Sequence, residues 1–363
     1  MFETVTTLRF RNLADASTGV GARRVFLVGD NGQGKTNFLD AVYSLCYGAS
    51  FRGATDAEAA RHGQEEWSLA ADTRAGPEDP PSRVTVSFRA GRKAAALDGK
   101  AVPDRKAMIE RNPAVVFCPS DMDFAQGEPE RRRFFLDQTA SLVSPGYLDS
   151  LRAYRKVLRM RNQSLKDGRL DVLEVLDEQL AEYGTVLRDR RAEILGLFDP
   201  VFAERYEAVS RLGIRVGLEY RPSWKPGTGP EEVVAALRAR RRDELALGVT
   251  LSGPHRDRFR FTREGGDFAA FASTGQLRLL ALTLRGAQAR FCAERTGRKP
   301  LLLLDDVLLE LDPEKRRRFM EGLPPHGQAF FTFLPGEPYG DYADDSTMVY
   351  WVDDGRLSDT DRR

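Results

Sequence analysis

The sequence has little of what would place the chain in or across a membrane. No apolar run approaches the roughly eighteen residues of a spanning helix, although 41% of its 363 residues are hydrophobic. The start, MFETVTTLRFR, lacks the apolar centre of a signal peptide. Three cysteines, Cys46, Cys118 and Cys292, are odd in number and far apart, which excludes a disulfide framework and leads to the expectation of a reducing cytoplasm. Three histidines, His62, His255 and His326, stand at no metal-ligand spacing, so no zinc site is expected. An excess of one charge is also missing. The 55 Lys+Arg meet 54 Asp+Glu, a net charge of +1, which excludes a uniformly basic nucleic-acid binder and leaves room only for local affinity. Lysine is scarce, nine against forty-six arginines, and a GC-rich genome is a simpler source of that bias than phosphate contacts.

What is present falls into three parts. At roughly 150 residues per domain, the length suggests two domains. Residues 25–28 are a short apolar run that meets a glycine loop, and residues 36–47 are apolar at Phe38, Leu39, Val42, Tyr43 and Cys46, which reads as strand, loop, helix. Pro77, Pro80 and Pro81 mark a loop before an alternating strand at 84–88. From about residue 128 the pattern turns helical. Residues 147–166 place Leu148, Leu151, Tyr154, Leu158 and Leu165 along one face, and 172–198 carry a second long helical pattern, which together predict an antiparallel hairpin. A loop is expected at 222–230. After about 248 the strand and helix mixture returns, ending in a strand at 348–352. The division is therefore 1–127, 128–247 and 248–363: an α/β domain split around an inserted helical arm, its sheet closed by both ends of the chain.

The nucleotide signal is specific. GDNGQGKT (29–36) fits G-x-x-x-x-G-K-[ST] with the required strand before it and helix after it. Gly29, Asp30, Asn31, Gly32, Gln33, Gly34, Lys35, Thr36 and Asn37 form the candidate phosphate cradle, with the amides of Gly32, Gly34 and Lys35 at the positive end of the helix. Lys35 adds a point charge for the β- and γ-phosphates of ATP, and the Thr36 hydroxyl is the expected Mg²⁺ ligand. A glycine turn that merely starts a helix would not require Lys-Thr at this position.

Far downstream, LLLLDD (301–306) is a buried-strand pattern ending in two carboxylates, the Walker B form. Asp305 is expected to bind Mg²⁺ and Asp306 to polarise the attacking water. The alternative, helix capping, is already supplied by Asp312 and Pro313. Between the two motifs, STGQ (273–276) opens a helix whose Leu277, Leu280, Leu284 and Phe291 share a face. Alone it is a good helix cap. Some thirty residues before a Walker B strand, it matches the signature loop of ABC-type ATPases, in which Ser273, Gly275 and Gln276 would reach the γ-phosphate held by a second chain, with ATP joining a homodimer.

These stretches, with FRN (10–12), SFR (50–52), ERRRFFLD (130–137), YRKVLRMRN (154–162), SGPHRD (252–257) and LLLLDDVLLELD (301–312), resemble the RecF family of bacterial recombination-repair ATPases over nearly the whole chain. SGPHRD is the stretch most particular to that family. The resemblance implies an ABC/SMC-type P-loop ATPase head with a helical arm. It further implies ATP-gated dimerisation, DNA binding, a slow hydrolytic switch, and recombinase loading at gaps with RecO and RecR, within replication restart and the SOS response.

Several positions depart from the family or stay open. Where RecF usually reads Ser-Glu-Leu-Asp after the Walker B pair, this chain has Leu309, Glu310, Leu311 and Asp312, so a hydroxyl that would face the partner's site is missing. At the usual switch position of an ABC histidine, the strand at 329–332 offers the hydroxyl of Thr332 instead, as RecF-like proteins tend to. Asp121 and Gln126 are the candidates for the Q-loop. Arg152, Arg155, Lys156 and Arg159 lie on one face of the 147–166 helix, either as a DNA-binding surface or as a solvated helix face; Arg11 and Arg52 are rivals. His255 and Arg256 read as structure or DNA contact ahead of catalysis. Two other functions remain. A P-loop phosphotransferase would need neither STGQ nor the insert, and an SMC-like complex needs a longer arm than half of a 120-residue insert, at most about 90 Å.

Overall fold

The computed structural model describes every residue except Ala75, Pro77, Glu310 and residues 360–363. Pro77 of the expected loop, Glu310 of the 309–312 stretch and the last four residues therefore lie outside the described residues. The chain runs β1 (Phe2–Leu8), β2 (Ala16–Gly19), β3 (Arg24–Val28), α1 (Lys35–Tyr47), β4 (Trp67–Thr73), β5 (Ser82–Arg89), β6 (Arg92–Leu97), β7 (Lys100–Ala101), α2 (Lys106–Arg111) and β8 (Ala114–Phe117). There follow α3 (Met122–Gln126), α4 (Pro129–Val143), α5 (Tyr147–Lys166), α6 (Leu173–Ser210), β9 (Gly217–Arg221), α7 (Pro230–Leu247), β10 (Arg258–Arg263), β11 (Gly266–Asp267) and α8 (Thr274–Thr296). The last elements are β12 (Leu301–Leu304), α9 (Pro313–Glu321), β13 (Gln328–Phe333), β14 (Thr347–Asp353) and β15 (Arg356–Ser358).

Two compact units result: Met1–Asp121 with Gln288–Arg363, and Met122–Ala287. In the first, one sheet has the order β2-β1-β4-β5-β6-β7 and another β15-β14-β3-β13-β12-β8. The strands of the first sheet pair antiparallel, and β4 alternates buried with half-buried residues. In the second sheet β14, β3, β13, β12 and β8 are mutually parallel, and the runs Val25–Val28, Leu301–Leu304 and Ala114–Phe117 are buried throughout, as strands covered on both faces must be. Helix α1 packs against β4 and β5 of one sheet and β13 of the other, so its Phe38, Leu39, Val42 and Leu45 join both into one core. Parallel register aligns the carboxyl ends of β3, β13, β12 and β8, and at those ends an open α/β sheet presents its ligand crevice.

The second unit is more than helices. Helix α5 matches its expected bounds and packs along α6, but α6 runs to Ser210 and passes through Pro200. The sequence pattern stopped at residue 198, ahead of the proline; the helix continues because Phe202, Ala203, Tyr206 and Val209 prolong its buried stripe. Strand β9 was not anticipated. It pairs with β10, which pairs with β11, and Phe261 of β10 stands 5.8 Å from Phe202 of α6. Residues 248–287, assigned from sequence to the C-terminal head segment, accordingly cluster with this unit.

Candidate nucleotide site

The phosphate loop is shaped by positions where a side chain has no room. A Cβ on Gly29 would lie 2.4 Å from the Val352 carbonyl oxygen of β14. Gly34 adopts φ 116° and caps α1 without a side-chain partner, so the first amides of that helix keep their donors for an anion. Lys35 is buried, and its Nζ donates to the carbonyl oxygens of Gly29 at 2.8 Å and Asp30 at 2.9 Å. A cation thus sits over the loop, held among the described residues by neutral acceptors that phosphate oxygens can replace.

Side chains from distant segments hold the loop from outside. Asn12 Nδ2 donates to the Gly32 carbonyl oxygen, Asn37 Nδ2 to Asn12 Oδ1 at 2.7 Å, and Arg52 to Asn37 Oδ1 at 3.0 Å. On the other flank the turn between β14 and β15 brings Asp354 N to Gln33 Oε1 and Gly355 N to the Gln33 carbonyl oxygen, each at 2.8 Å. Asp354 and Gly355 both have positive φ, the two-residue hairpin turn that Asp-Gly favours. That dipeptide was the available sequence signal for this support, and Asn12 was visible only as part of FRN.

Opposite the loop stand the two acids. Asp305 is buried, and its Oδ1 accepts the Thr36 hydroxyl at 2.8 Å across 269 residues of chain. Burial pushes its carboxyl up to about 6, with Asp306 adding to the shift and the Thr36 hydrogen bond opposing it. Asp306 takes a left-handed backbone, φ 50°. Thr332 locks it there: its Oγ accepts from Asp306 N and donates to Asp306 Oδ1, each at 2.8 Å. At this position the threonine therefore orients the second acid. A cavity of about 520 Å³ opens between the groups, lined by the loop, Phe51, Arg52, residues 118–120, Asp305 and Asp306, all of the first unit. Its lining of amides, a lysine, a hydroxyl and two carboxylates fits a polyphosphate with a hard cation.

The two Q-loop candidates stand in different units. Asp121 Oδ2 accepts from Cys118 N at 2.9 Å and so shapes the turn that lines the cavity, whereas Gln126 is an exposed residue of α3. Arg11 is committed to the fully buried Asp40 at 2.6 Å and is not an available phosphate contact; Arg52 lines the cavity.

In the second unit Ser273 and Gln276 make a reciprocal capping box at the start of α8. Ser273 Oγ accepts from Gln276 N at 3.3 Å, and Gln276 Oε1 accepts from Ser273 N at 2.8 Å. Ser273 and Gly275 are exposed. Of the expected basic face on α5, Arg155, Lys156 and Arg159 are exposed, Arg152 stands 4.0 Å from Asp149, and Arg155 is also paired with the buried Asp137 at 3.1 Å. The buried stripe of α5 uses Val157 where the sequence suggested Leu158, and it includes Arg161.

Three of the family-like stretches meet in a buried polar network that the sequence did not disclose. Arg161 bonds Asp177, Glu244 and Thr250, all within 2.8 Å. Arg191 bonds Asp137, the Pro254 carbonyl oxygen and Asp257, which also accepts from Tyr220 and Ser223 N. His255 lies between Tyr154, 2.7 Å from Nδ1, and the Thr250 carbonyl oxygen, 3.1 Å from Nε2, and burial pushes its pKa down to about 4. SGPHRD is therefore a closely packed structural turn of this unit: a Cβ on Gly253, φ 132°, would lie 2.6 Å from the Tyr154 hydroxyl.

No family model matches the chain. A curated protein from Treponema pallidum (strain Nichols), named DNA replication and repair protein RecF, is 42% identical over 353 residues, 97% of this chain and 99% of that one. A solved structure of the recombination mediator protein RecF-ATP in the RecFOR pathway superposes with a TM-score of 0.89 at 27% identity, covering 98% of this chain and 96% of that one. An Smc head bound to the C-winged helix domain of ScpA matches with a TM-score of 0.59 at 14% identity, which shows a shared fold.

Proposed function

This chain belongs to the RecF family of DNA replication and repair proteins, and from that premise we propose that it is a cytoplasmic ATP-gated dimer that binds DNA and supports recombinase loading at gaps with RecR and RecO. The observation that carries the reading is the 2.8 Å bond from Thr36 to Asp305, which joins the phosphate loop to the Walker B strand at the mouth of one cavity. The SMC-like alternative rests on fold likeness alone.

Lys35, now on the carbonyl oxygens of Gly29 and Asp30, would exchange those acceptors for β- and γ-phosphate oxygens. Thr36 and Asp305 would hold Mg²⁺, which on binding supplies neutralisation of charge across the phosphates. Asp306 keeps Oδ1 on Thr332, so its other oxygen is left to orient a water and take its proton. Ser273 would give up its bond from Gln276 N to face a γ-phosphate across the dimer, with Gly275 and Gln276 offering the helix amides. The exposed cations of α5 would contact DNA phosphates without reading sequence.

Sedimentation with and without ATP and Mg²⁺ tests this. The wild type is expected to dimerise on ATP, whereas Ser273→Arg stays monomeric while still binding ATP. Lys35→Met is expected to lose ATP binding and ATP-dependent DNA binding together. A monomeric wild type with ATP, or a Ser273→Arg variant that dimerises normally, overturns the shared-site mechanism.

A further inference from the structure

Just past Asp306, the segment that lacks the family's serine is held in another way. Arg316 of α9 reaches back, its NH2 donating to the carbonyl oxygens of Leu309 and Leu311, each at 3.4 Å. Its NH1 faces Glu337 Oε1 at 3.9 Å, and both side chains are largely buried, 13% and 8% exposed. Glu337 lies just beyond β13, where its Oε2 accepts from Leu334 N at 2.7 Å. Asp306 and Lys35 are near enough to act electrostatically on its carboxyl group. Arg316 Nε and Glu337 Oε1 are buried without a hydrogen-bond partner among the described residues.

A buried ion pair left half made costs free energy that neither a solvated pair nor an apolar pair would, so its retention calls for a use. The unpartnered Oε1 allows NH1 to close from 3.9 Å to a charge-assisted hydrogen bond of about 2.8 Å, and that closure would draw on the Leu309 and Leu311 carbonyls that NH2 holds. We infer that Arg316 and Glu337 are positioning residues for ATP hydrolysis. They brace the backbone that follows Asp306 against the end of β13.

The inference rests on the proposed hydrolytic role of Asp306, and the experiment keeps the two apart. Single-turnover ATP hydrolysis and binding of a fluorescent ATP analogue are measured on the full chain for Glu337→Gln, Arg316→Gln, the double variant and Asp306→Asn. Glu337→Gln and Arg316→Gln are each expected to slow hydrolysis about tenfold, with analogue affinity unchanged within about twofold. The double variant should be no slower than the slower single one, since both changes break one brace. Arg316→Lys keeps the charge and loses the fork, so it is expected to fall between wild type and Arg316→Gln; it also serves should Arg316→Gln not fold. Wild-type rates in the single variants, losses that multiply in the double variant, or a loss confined to affinity overturns the brace. A fully active Asp306→Asn overturns instead the role given to Asp306.

Discussion

The phosphate loop and the polar network of the second unit are both built from charged groups out of bulk water, and they treat those groups in opposite ways. At the loop, Lys35 rests on two neutral carbonyls and α1 begins with uncapped amides. In the network, the guanidinium of Arg191 bonds two carboxylates and a carbonyl, and that of Arg161 bonds two carboxylates and a hydroxyl. A site that must accept a ligand keeps its donors weakly engaged. A scaffold that must keep one shape engages every one of them, because an unpaired buried charge is expensive.

Removing the charge of Arg191 should give the largest effect. Arg191→Met leaves Asp257 without its guanidinium partner and Asp137 with only the exposed Arg155 as ion-pair partner, and the expected loss is about 3–5 kcal/mol of stability, read as a lowered denaturant midpoint. Material that remains folded should bind ATP with wild-type affinity, since the cavity is lined by the first unit alone. An unchanged midpoint would mean that the network is not what holds the second unit, and the contrast would fail.

The same contrast explains what was legible in the sequence. The loop works through backbone and short spacing: eight consecutive residues, a strand before and a helix after, so GDNGQGKT disclosed it, and LLLLDD disclosed its partner. Thr332 was visible only as a residue out of place, because locking Asp306 depends on a register between β12 and β13 that spacing does not contain. The network is assembled from segments far apart in the chain, around residues 137, 154–161, 177, 191, 220–223, 244 and 250–257. Helical periodicity left Arg161 out of the apolar stripe of α5 because it counts charge as exposure, and only the tertiary partners Asp177 and Glu244 bring it inside. Strand β9 was hidden for a related reason: GLEYR has no alternation strong enough to announce itself without β10 beside it.

His255 gives a smaller, pH-dependent effect on the same network. Its Nδ1 accepts from Tyr154 and its Nε2 donates to the Thr250 carbonyl oxygen, so the folded state holds the neutral ring, with Arg256, Arg133 and Arg161 further opposing a charge. The folded pKa, about 4, lies below the unfolded value of about 6.5. The unfolded state therefore binds the proton first. The stabilisation is whole above pH 6.5 and falls away as pH drops from 6.5 toward 4. The melting temperature of wild type should fall more steeply over that interval than that of His255→Gln; parallel curves would show that the ring already carries its proton in the folded state.

The smallest effect concerns α5, where the two treatments of charge lie on one helix face. Arg155, Lys156 and Arg159 are all exposed, but Arg155 is anchored to Asp137, the same carboxylate that Arg191 holds, whereas Lys156 and Arg159 make no ion pair among the described residues. If the face binds DNA, only the uncommitted cations release counterions on binding. Lys156→Ala with Arg159→Ala should then reduce the slope of log K against log salt by about 1.8, close to 0.9 for each lost phosphate contact. Arg155→Ala should leave that slope unchanged and lower thermal stability slightly, since its partner is already held by Arg191. If Arg155→Ala lowers the slope and the double variant does not, the committed cation is the one that reaches DNA. Open and satisfied charge would then no longer separate binding from scaffold on this helix.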